Sequence, residues 1–199
     1  MSGLFPLPII TERLVISKAR VNNDTICKYL HAVRSSLTEL KPWVIWAHGI
    51  FNNESAENYL FSCERNWIYK TNNDIGLVLW IENINGDFIG NIIIWNINWQ
   101  IPKFELGYWG NQLHSRNGYI SEAVNATTRY LIKQLNAARI EIRTEKDNIR
   151  SSKVAKRIGF EYEGCLKNAT RNVQNGELAD VEIFGCISVK QLLPLNVKW

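Results

Sequence analysis

The spacing of apolar residues predicts a series of short β-strands along the chain. Residues 12–19 illustrate the pattern, since Leu14 and Ile16 fall on the same face of an extended segment and would make a half-buried strand. Asn85-Gly86 lies between two apolar runs and is a strong signal for a β-hairpin. The predicted strands are residues 12–19, 75–82, 87–97, 104–109, 138–144, 160–164 and 179–188.

Apolar residues that recur three and four positions apart predict four helices. Asn22 or Asn23 could cap the first of them. Gly159 stands where a glycine commonly ends a helix. The apolar stripe of the first helix is Ile26, Leu30, Val33 and Leu37. The other three predicted helices cover residues 54–70, 118–134 and 149–158.

The order of these elements predicts the fold class. It is β-α-α-β-β-β-α-β-α-β-β, which indicates an α+β fold with one mixed sheet and helices packed on it. Residues 40–53 are aromatic, contain proline and glycine and have no clean period, so we expect a loop or a broken helix there. The length of 199 residues suits a single domain over residues 1–199, with tails at 1–10 and 189–199.

Composition narrows the class of protein. Hydrophobic residues make up 46% and charged residues 21%, which is ordinary for a globular chain. The longest apolar runs are too short to span a bilayer, and the N-terminus lacks the pattern of a secretory signal. The four scattered cysteines have no zinc-ligand spacing, so we expect no metal, no disulfide framework and a reducing cytoplasm.

The charge balance favours a small anionic ligand over nucleic acid. The net charge is +4, and no block of lysine or arginine stands out, so we expect neither a nucleic-acid nor a membrane partner. Residues 114–124, HSRNGYISEAV, form a polar turn between a predicted strand and a predicted helix. The exposed N–H groups at a helix N-terminus can hold an anion.

Four segments carry a family resemblance. They are FELGYW (104–109), GYISEAV (118–124), NIRSSKVAKRIGFEYEG (148–164) and GCLKNATRNVQNGELADVEIF (164–184). In this order and spacing they resemble the GNAT acetyltransferase superfamily, and most closely its branch of ribosomal-protein serine and alanine N-terminal acetyltransferases. The resemblance extends from residue 11 to residue 187 and implies a GNAT fold, whose central sheet is mixed, mostly antiparallel and splayed.

The resemblance also implies acetyl-CoA as the cofactor. In the family, the turn before the helix binds the diphosphate through its N–H groups. The pantetheine arm pairs like an extra strand with the end of the strand at 104–109, where that strand splays from its neighbour. The implied cofactor-binding residues are Trp109, Gly110, Asn111, Ser115, Arg116, Asn117, Gly118, Tyr119, Ile120 and Asn148.

The turn departs from the family pattern at two positions. Leu113 stands where the family has glutamine or arginine, and Arg116 replaces the first glycine, while Gly118 is retained. Arg116 would be tolerated if its φ is negative, and its guanidinium could then contact a phosphate. The alternative is that Arg116 points to solvent.

The catalytic residues implied for acetyl transfer are Ser151 and Glu105. Ser151 would donate a hydrogen bond to the departing sulfur, unless it is only a first-turn residue of a helix capped by Asn148. The glutamate expected after GCLKNA is absent, because Thr170 occupies its place. Glu105 would then act as the base through a water, or be a structural carboxylate of its strand.

We expect the acceptor to contact the segment 40–53 and the turn near 170–177. The candidate residues there are Trp43, Trp46 and His48; the alternative is that both tryptophans only pack the core. His48 and His114 are more typical of surface histidines than of a base, and Asp180 of a structural carboxylate.

These expectations define three functional hypotheses. The leading one is transfer of acetyl from acetyl-CoA to a primary amine, the N-terminal α-amine of a protein of ribosomal type, by direct attack in a ternary complex. The second is the same chemistry on a small amine such as an amino acid, a polyamine or an antibiotic. The third is a non-catalytic acyl-CoA-binding module. We expect a monomer or a homodimer in each case.

Overall fold

A computed structural model describes residues 7–69 and 76–199 of the chain. Over these residues, eight strands join one sheet and four α-helices pack on it. The strands are β1 (Ile9–Ile10), β2 (Leu14–Lys18), β3 (Leu77–Asn83), β4 (Phe88–Asn98), β5 (Lys103–Gly110), β6 (Arg139–Glu145), β7 (Glu161–Arg171) and β8 (Leu178–Cys186). The helices are α1 (Asn23–Leu40), α2 (Asn53–Tyr69), α3 (Tyr119–Gln134) and α4 (Ile149–Ile158).

The sheet has the order β1-β2-β3-β4-β5-β6-β8-β7. All neighbouring strands are antiparallel except β5 and β6, which are parallel and are connected through α3. Parallel neighbours need such a crossover, whereas antiparallel ones can be joined by a tight turn. Asn85-Gly86 makes the tight turn between β3 and β4, as predicted. The prediction of a mixed, mostly antiparallel sheet is therefore confirmed.

Two apolar layers hold the helices against opposite faces of the sheet. The layer under α3 and α4 includes Phe104 and Leu106 of β5 and Ile142 of β6. The layer under α1 and α2 includes Trp109 of β5 and Trp80 of β3. Side chains of a strand alternate between faces, so one strand can feed both layers. Residues of β5 and β6 can therefore be assigned to a face by their position along the strand.

The N-terminus of α1 is fixed by a capping box at Asn22. Its side chain accepts from the Thr25 backbone N–H at 3.0 Å, and the Thr25 hydroxyl accepts from the Asn22 backbone N–H at 3.1 Å. Asn22 is extended, with φ −161°, and Asn23 is already helical. Of the two caps that the sequence allowed, Asn22 is therefore the one used.

The structure brings parts of both predicted tails into the fold. Ile10 pairs with Lys198 in an isolated antiparallel bridge, so these two residues meet at the β1 edge of the sheet. Leu192 is buried in the layer under α3 and α4. Strand β7 also extends to Arg171, well beyond the predicted end at residue 164. Asn168 stands in the left-handed region there, at φ +52°, within a register shift that interrupts the pairing with β8.

The remaining predicted elements agree with the structure within a few residues. A short 3₁₀ turn at Ile45–His48 interrupts residues 40–53, as the broken pattern predicted. The predicted limits Lys70 and Ile75 lie outside the described residues. All four cysteines are free thiols. Within the described ranges, none of the helices has the length and apolarity to cross a membrane.

The capping box predicts a measurable difference between two neighbouring asparagines. Asn22→Ala removes the side-chain acceptor at the start of α1 and should lower the free energy of unfolding by about 1 kcal/mol. Asn23→Ala is the matched control and should change it by less than about 0.5 kcal/mol, as expected for a site without a special contact. Urea titration of the three proteins measures both values. Equal losses in the two variants would contradict the assignment of the cap.

Candidate active site

The sheet opens between β5 and β6. Their register covers three pairs, from Lys103 opposite Arg139 to Glu105 opposite Glu141. Beyond this point each strand stays paired on its outer side, β5 with β4 as far as Gly110 and β6 with β8 as far as Glu145. The inner edges of both strands are therefore unpaired, which is the splay that the sequence predicted.

The open edge of β5 presents backbone groups to this gap. The Asn111 N–H donates to the Ile89 carbonyl of the neighbouring chain segment at 2.7 Å, which fixes the direction of the peptide groups at the end of the strand. Backbone groups alternate between the two sides of a strand, so those of Tyr108 and Gly110 face β6. Donors and acceptors without a partner in the sheet are available to an extended ligand.

A cavity of about 720 Å³ passes through the gap and reaches both faces of the sheet. On the α4 side it is lined by Tyr108, Asn148 and Ser151. On the α1 and α2 side its wall is mostly aromatic and aliphatic. That wall is formed by Tyr29, Trp43, Val44, Ile45, Trp46, Ile50, Phe51, Tyr59, Ile93, Trp95 and Trp109.

The turn before α3 leaves consecutive backbone N–H groups without an acceptor in the described residues. In the described part of the chain, the backbone N–H groups of residues 116–121 have no hydrogen-bond acceptor, whereas that of Ser115 donates to the Gln112 carbonyl at 3.1 Å. The first residues of any helix lack an intrahelical acceptor, and the helix dipole adds partial positive charge there. The predicted residues Arg116, Asn117, Gly118, Tyr119 and Ile120 thus offer consecutive free amides.

Arg13 and Gly110 hold this turn against the sheet. The Arg13 guanidinium pairs with the Glu122 carboxylate in the first turn of α3, and its Nη1 donates to the Asn117 carbonyl at 3.1 Å. A Cβ on Gly110 would lie 2.9 Å from the Ile120 side chain, so only glycine lets the end of β5 approach α3 this closely. The free amides are therefore held beside the open edge of β5.

Arg116 does not meet the condition of a negative φ under which its contact with a phosphate was expected. Its φ is +66°, so it adopts the left-handed conformation that a glycine would take there, and Gly118 follows at +78°. Left-handed backbone costs a residue with a side chain about 1–2 kcal/mol. The Arg116 side chain is exposed. Arg116 therefore carries backbone strain, and its exposed side chain agrees with the alternative that it points to solvent.

Asn148, Ser151 and Tyr108 form a connected group at the start of α4. The Asn148 side chain caps the helix by accepting from the Ser151 N–H at 3.1 Å. The Ser151 hydroxyl donates to the Tyr108 oxygen at 3.2 Å, and the Tyr108 hydroxyl donates to the Ser151 carbonyl at 2.9 Å. Burial raises the pKa of Tyr108, so its phenol stays protonated at physiological pH.

Glu105 has a buried structural environment. It is 5% exposed, accepts from the Asn96 side chain at 2.7 Å and lies 3.7 Å from the Arg143 guanidinium. It is on the same face as the aromatic wall but does not line the cavity. These contacts favour the structural alternative for Glu105, and its catalytic role stays a prediction.

The predicted acceptor residues divide into two groups. Trp43 and Trp46 line the cavity, and Trp46 packs 5.8 Å from Trp109 and 6.2 Å from Phe51, measured between ring centroids. His48 is exposed, its Nε2 lies 3.0 Å from the Lys41 carbonyl, and it is not part of the cavity wall. The structure thus brings the two tryptophans to the site and leaves His48 outside it.

Other predicted residues are placed as follows. Trp109 lines the cavity with a largely buried ring, and the Asn111 side chain donates to the Phe88 carbonyl at 3.0 Å. Thr170, which replaces the family glutamate, lines the cavity. Asp180 pairs with Lys167 at 2.8 Å, and this hydrogen bond lowers the pKa of Asp180. Asp180 does not line the cavity, which agrees with its expected structural role.

Sequence reasoning missed several polar residues of the cavity wall, among them Tyr108 and Glu145. Tyr108 lies inside the strand segment FELGYW, where alternation makes it a core position. Glu145 ends β6 and is half-buried at the cavity wall. The alternation of β6 could have placed Glu145 on the face opposite Ile142, although no sequence signal gives the position of the gap.

Comparison with known proteins decides the family. Residues 13–161, about three quarters of the chain, match the family described as "Acetyltransferase (GNAT) domain". The chain belongs to the GNAT acetyltransferase family. The splayed strands β5 and β6 and the free amides before α3 are the features that the GNAT resemblance predicted.

Curated relatives match part of this chain. The ribosomal-protein-serine acetyltransferase of Escherichia coli (strain K12) is 36% identical over 83 residues, which is 42% of this chain and 45% of that protein. An uncharacterized N-acetyltransferase of Bacillus subtilis (strain 168) is 34% identical over 79 residues, 40% of this chain and 46% of that protein. The chain thus aligns with less than half the length of either relative.

Solved structures match the fold over most of its length. A ribosomal L7/L12 α-N-protein acetyltransferase in complex with coenzyme A superposes with a TM-score of 0.78, 18% identity, and coverage of 90% of this chain and 97% of that one. A microcin C7 self-immunity acetyltransferase in complex with acetyl-CoA and AMP gives a TM-score of 0.76, 17% identity, and coverage of 89% and 93%. At these identities the likeness establishes the GNAT fold.

The site has no metal-binding cluster in the described parts of the chain. No group of three or more histidine, cysteine, aspartate or glutamate residues there is arranged to hold a metal ion.

The strained turn predicts an unusual stabilising substitution. Arg116→Gly relieves the left-handed φ and should raise the free energy of unfolding by up to about 1 kcal/mol, since the relief of strain exceeds the entropy cost of glycine. Asn117→Gly is the matched control and should destabilise, because Asn117 has no positive φ to relieve. Denaturant titration measures both. A loss of stability in Arg116→Gly would contradict the strain at this position.

Proposed function

We propose that this chain is an N-acetyltransferase that moves the acetyl group of acetyl-CoA to the N-terminal α-amine of a protein. The observation that carries the proposal is the cavity that crosses the sheet at the β5–β6 gap, with polar groups on the α4 side and an apolar wall on the other. A group held in the gap is reachable from both faces, as direct attack in a ternary complex requires.

The fit to acetyl-CoA rests on two sets of backbone donors. The free amides of residues 116–121 suit the diphosphate, and the unpaired edge of β5 at Tyr108 and Gly110 suits the amides of the pantetheine arm. Bound there, acetyl-CoA would supply an activated thioester carbonyl. The relatives named for ribosomal-protein serine and for L7/L12 support both this cofactor and a protein acceptor.

Residues on the α4 side would act on the leaving group. Ser151 lines the cavity, and its hydroxyl donates its one proton to the Tyr108 oxygen at 3.2 Å, so this hydroxyl must rotate away from Tyr108 to donate to a ligand. We assign Ser151 the role of hydrogen-bond donor to the departing sulfur, and Tyr108 the role of holding α4 against β5. Asn148 caps the helix and lines the same wall, where it can contact the pantetheine arm.

The pKa of the acceptor favours an α-amine. An α-amino group has a pKa of roughly 7.7–8.0, so a useful fraction is neutral at physiological pH, whereas lysine at about 10.4 would need about 3 kcal/mol more help. Trp43, Trp46 and the other aromatic residues of the wall would contact the residue that carries the amine. The free thiols and the GNAT relatives support the cytoplasm as the place of reaction.

A small amine is the second candidate acceptor. The aromatic wall favours it, since an apolar pocket suits a small ligand with an apolar body. The microcin C7 self-immunity acetyltransferase, a structural relative, was solved in complex with acetyl-CoA and AMP. A non-catalytic acyl-CoA-binding module is the rival from another class, and it predicts cofactor binding without turnover of any amine.

An acceptor panel tests the proposed function directly. Thiol release from acetyl-CoA would be measured at pH 7 with peptides that have a free N-terminus, with N-terminally blocked peptides that contain lysine, and with small amines. Free α-amines should react at least about 100-fold faster than lysine, in proportion to their larger neutral fraction. Faster acetylation of lysine than of α-amines would contradict the proposed acceptor. Turnover with small amines alone would favour the second candidate. Binding of acetyl-CoA without turnover of any amine would favour the non-catalytic module.

Ser151 should matter at the chemical step. Ser151→Ala should lower kcat by about 10- to 100-fold, the range expected when one donor to a leaving group is lost. The dissociation constant of coenzyme A should change little. Ser62→Ala is the matched control, because its hydroxyl bonds only to the Asn58 carbonyl on the exposed face of α2. An unchanged kcat in Ser151→Ala would contradict the role of Ser151 as hydrogen-bond donor to the departing sulfur.

A further inference from the structure

One carboxylate of the cavity wall has no assigned role in the proposed reaction. Glu145 is the last residue of β6 and, among the described residues, the only acidic residue of the cavity wall. Thr170, which replaces the glutamate of the related serine acetyltransferases, lines the same wall. Glu145 is therefore the carboxylate that the described cavity wall offers to a ligand.

The position of Glu145 along β6 places it on the acceptor side of the sheet. Ile140 and Ile142 of this strand pack into the layer under α3 and α4. Because side chains alternate, Arg143 and Glu145 project from the opposite face, towards the aromatic wall. Glu145 therefore lines the same cavity as Trp43 and Trp46, on the acceptor side of the sheet.

Its hydrogen bonds hold Glu145 at one oxygen only. The Asn172 side chain, from the turn after β7, donates to Oε2 at 2.9 Å. In the described part of the structure, Oε1 has no hydrogen-bond or ion-pair partner. The Glu145 backbone carbonyl accepts from the Asn148 N–H at 2.9 Å, which links the residue to the start of α4 and to Ser151. One oxygen is therefore anchored and the other is available.

The two arginines of the cavity wall have hydrogen-bond partners other than Glu145. Arg143, on β6, bonds to Glu141 at 3.1 Å and lies 3.7 Å from Glu105. Arg171, on β7, donates to the Gly176 carbonyl at 2.8 Å. These are the other two charged residues that line the cavity wall in the described chain, apart from Glu145. Two carboxylates hold Arg143, and neither arginine forms an ion pair with Glu145 among the described residues.

We propose that Glu145 is the general base of the reaction, an inference that rests on the proposed function. As the amine nitrogen forms its bond to the acetyl carbon, the carbon–sulfur bond breaks and coenzyme A leaves as the thiolate. The proton lost by the nitrogen passes to Glu145 and then to water. The hydroxyl of Ser151 stabilises the thiolate from the other face of the sheet. Glu105, buried on Asn96 and Arg143, keeps the structural role.

The test compares Glu145→Gln with wild-type protein across pH, using a peptide with a free α-amine. At pH 7 most of the amine is protonated, so the variant should lose about 100-fold in kcat/KM, within the usual range for a general base. At pH 9 the amine arrives neutral, and the loss should shrink to about 10-fold. A merely structural residue would give the same loss at both values.

Two further variants and a binding measurement complete the design. Glu161→Gln, on the exposed start of β7 and outside the cavity wall, is the matched control and should keep wild-type rates. Glu145→Ala leaves room for a small carboxylate, so added formate should restore part of its rate and have no such effect on wild type. Calorimetry with coenzyme A should give the wild-type dissociation constant for Glu145→Gln, which shows that the site is intact.

The outcomes separate this inference from the proposed function. Full activity in Glu145→Gln would overturn the role of Glu145. An equal loss of kcat/KM at pH 7 and pH 9 in Glu145→Gln, with no rescue of Glu145→Ala by formate, would also overturn it. Both results would leave acetyl transfer as the proposed function. If Glu105→Gln, and not Glu145→Gln, lost more kcat/KM at pH 7 than at pH 9, the base would be Glu105. Absence of turnover by wild type with every amine would instead contradict the proposed function.

Discussion

The structure depends on the point at which β5 and β6 stop pairing. Each strand has an outer neighbour that continues beyond Glu105 and Glu141, so both remain in the sheet while their inner edges separate. Backbone groups that the sheet leaves unpaired need another partner, and an extended chain of amides is the natural one. The opening thus makes a binding edge out of the backbone, with little demand on side-chain identity.

The same opening organises the chemistry across the sheet. Residues of α4 reach the gap from one face, where Ser151 and Tyr108 bond to each other. The wall formed by residues of α1, α2 and the segment between them reaches it from the other face. Because α3 connects the two diverging strands, its N-terminal amides lie next to the mouth of the gap. One topological feature therefore positions an anion site, a leaving-group site and an acceptor site.

Periodicity and turn chemistry were enough to predict most of the fold. Asn85-Gly86 fixed a hairpin locally, and alternation identified β5 and β6. The conformation of Arg116 could not be predicted, because an arginine in the left-handed region violates a local preference that tertiary contacts override. Glu145 was missed for a different reason: its place in the site follows from where the strands diverge, which is a long-range property of the sheet.

Amide hydrogen exchange, with and without coenzyme A, tests the central claim most directly. We predict that the cofactor slows exchange at the amides of residues 116–121 and at Tyr108 and Gly110, whose N–H groups have no partner in the sheet or in α3 among the described residues. Amides of residues 161–166, at the start of β7 and outside the cavity wall, should exchange at the same rate in both states. Protection confined to other parts of the chain, or no protection at all, would contradict a cofactor site built from these backbone groups.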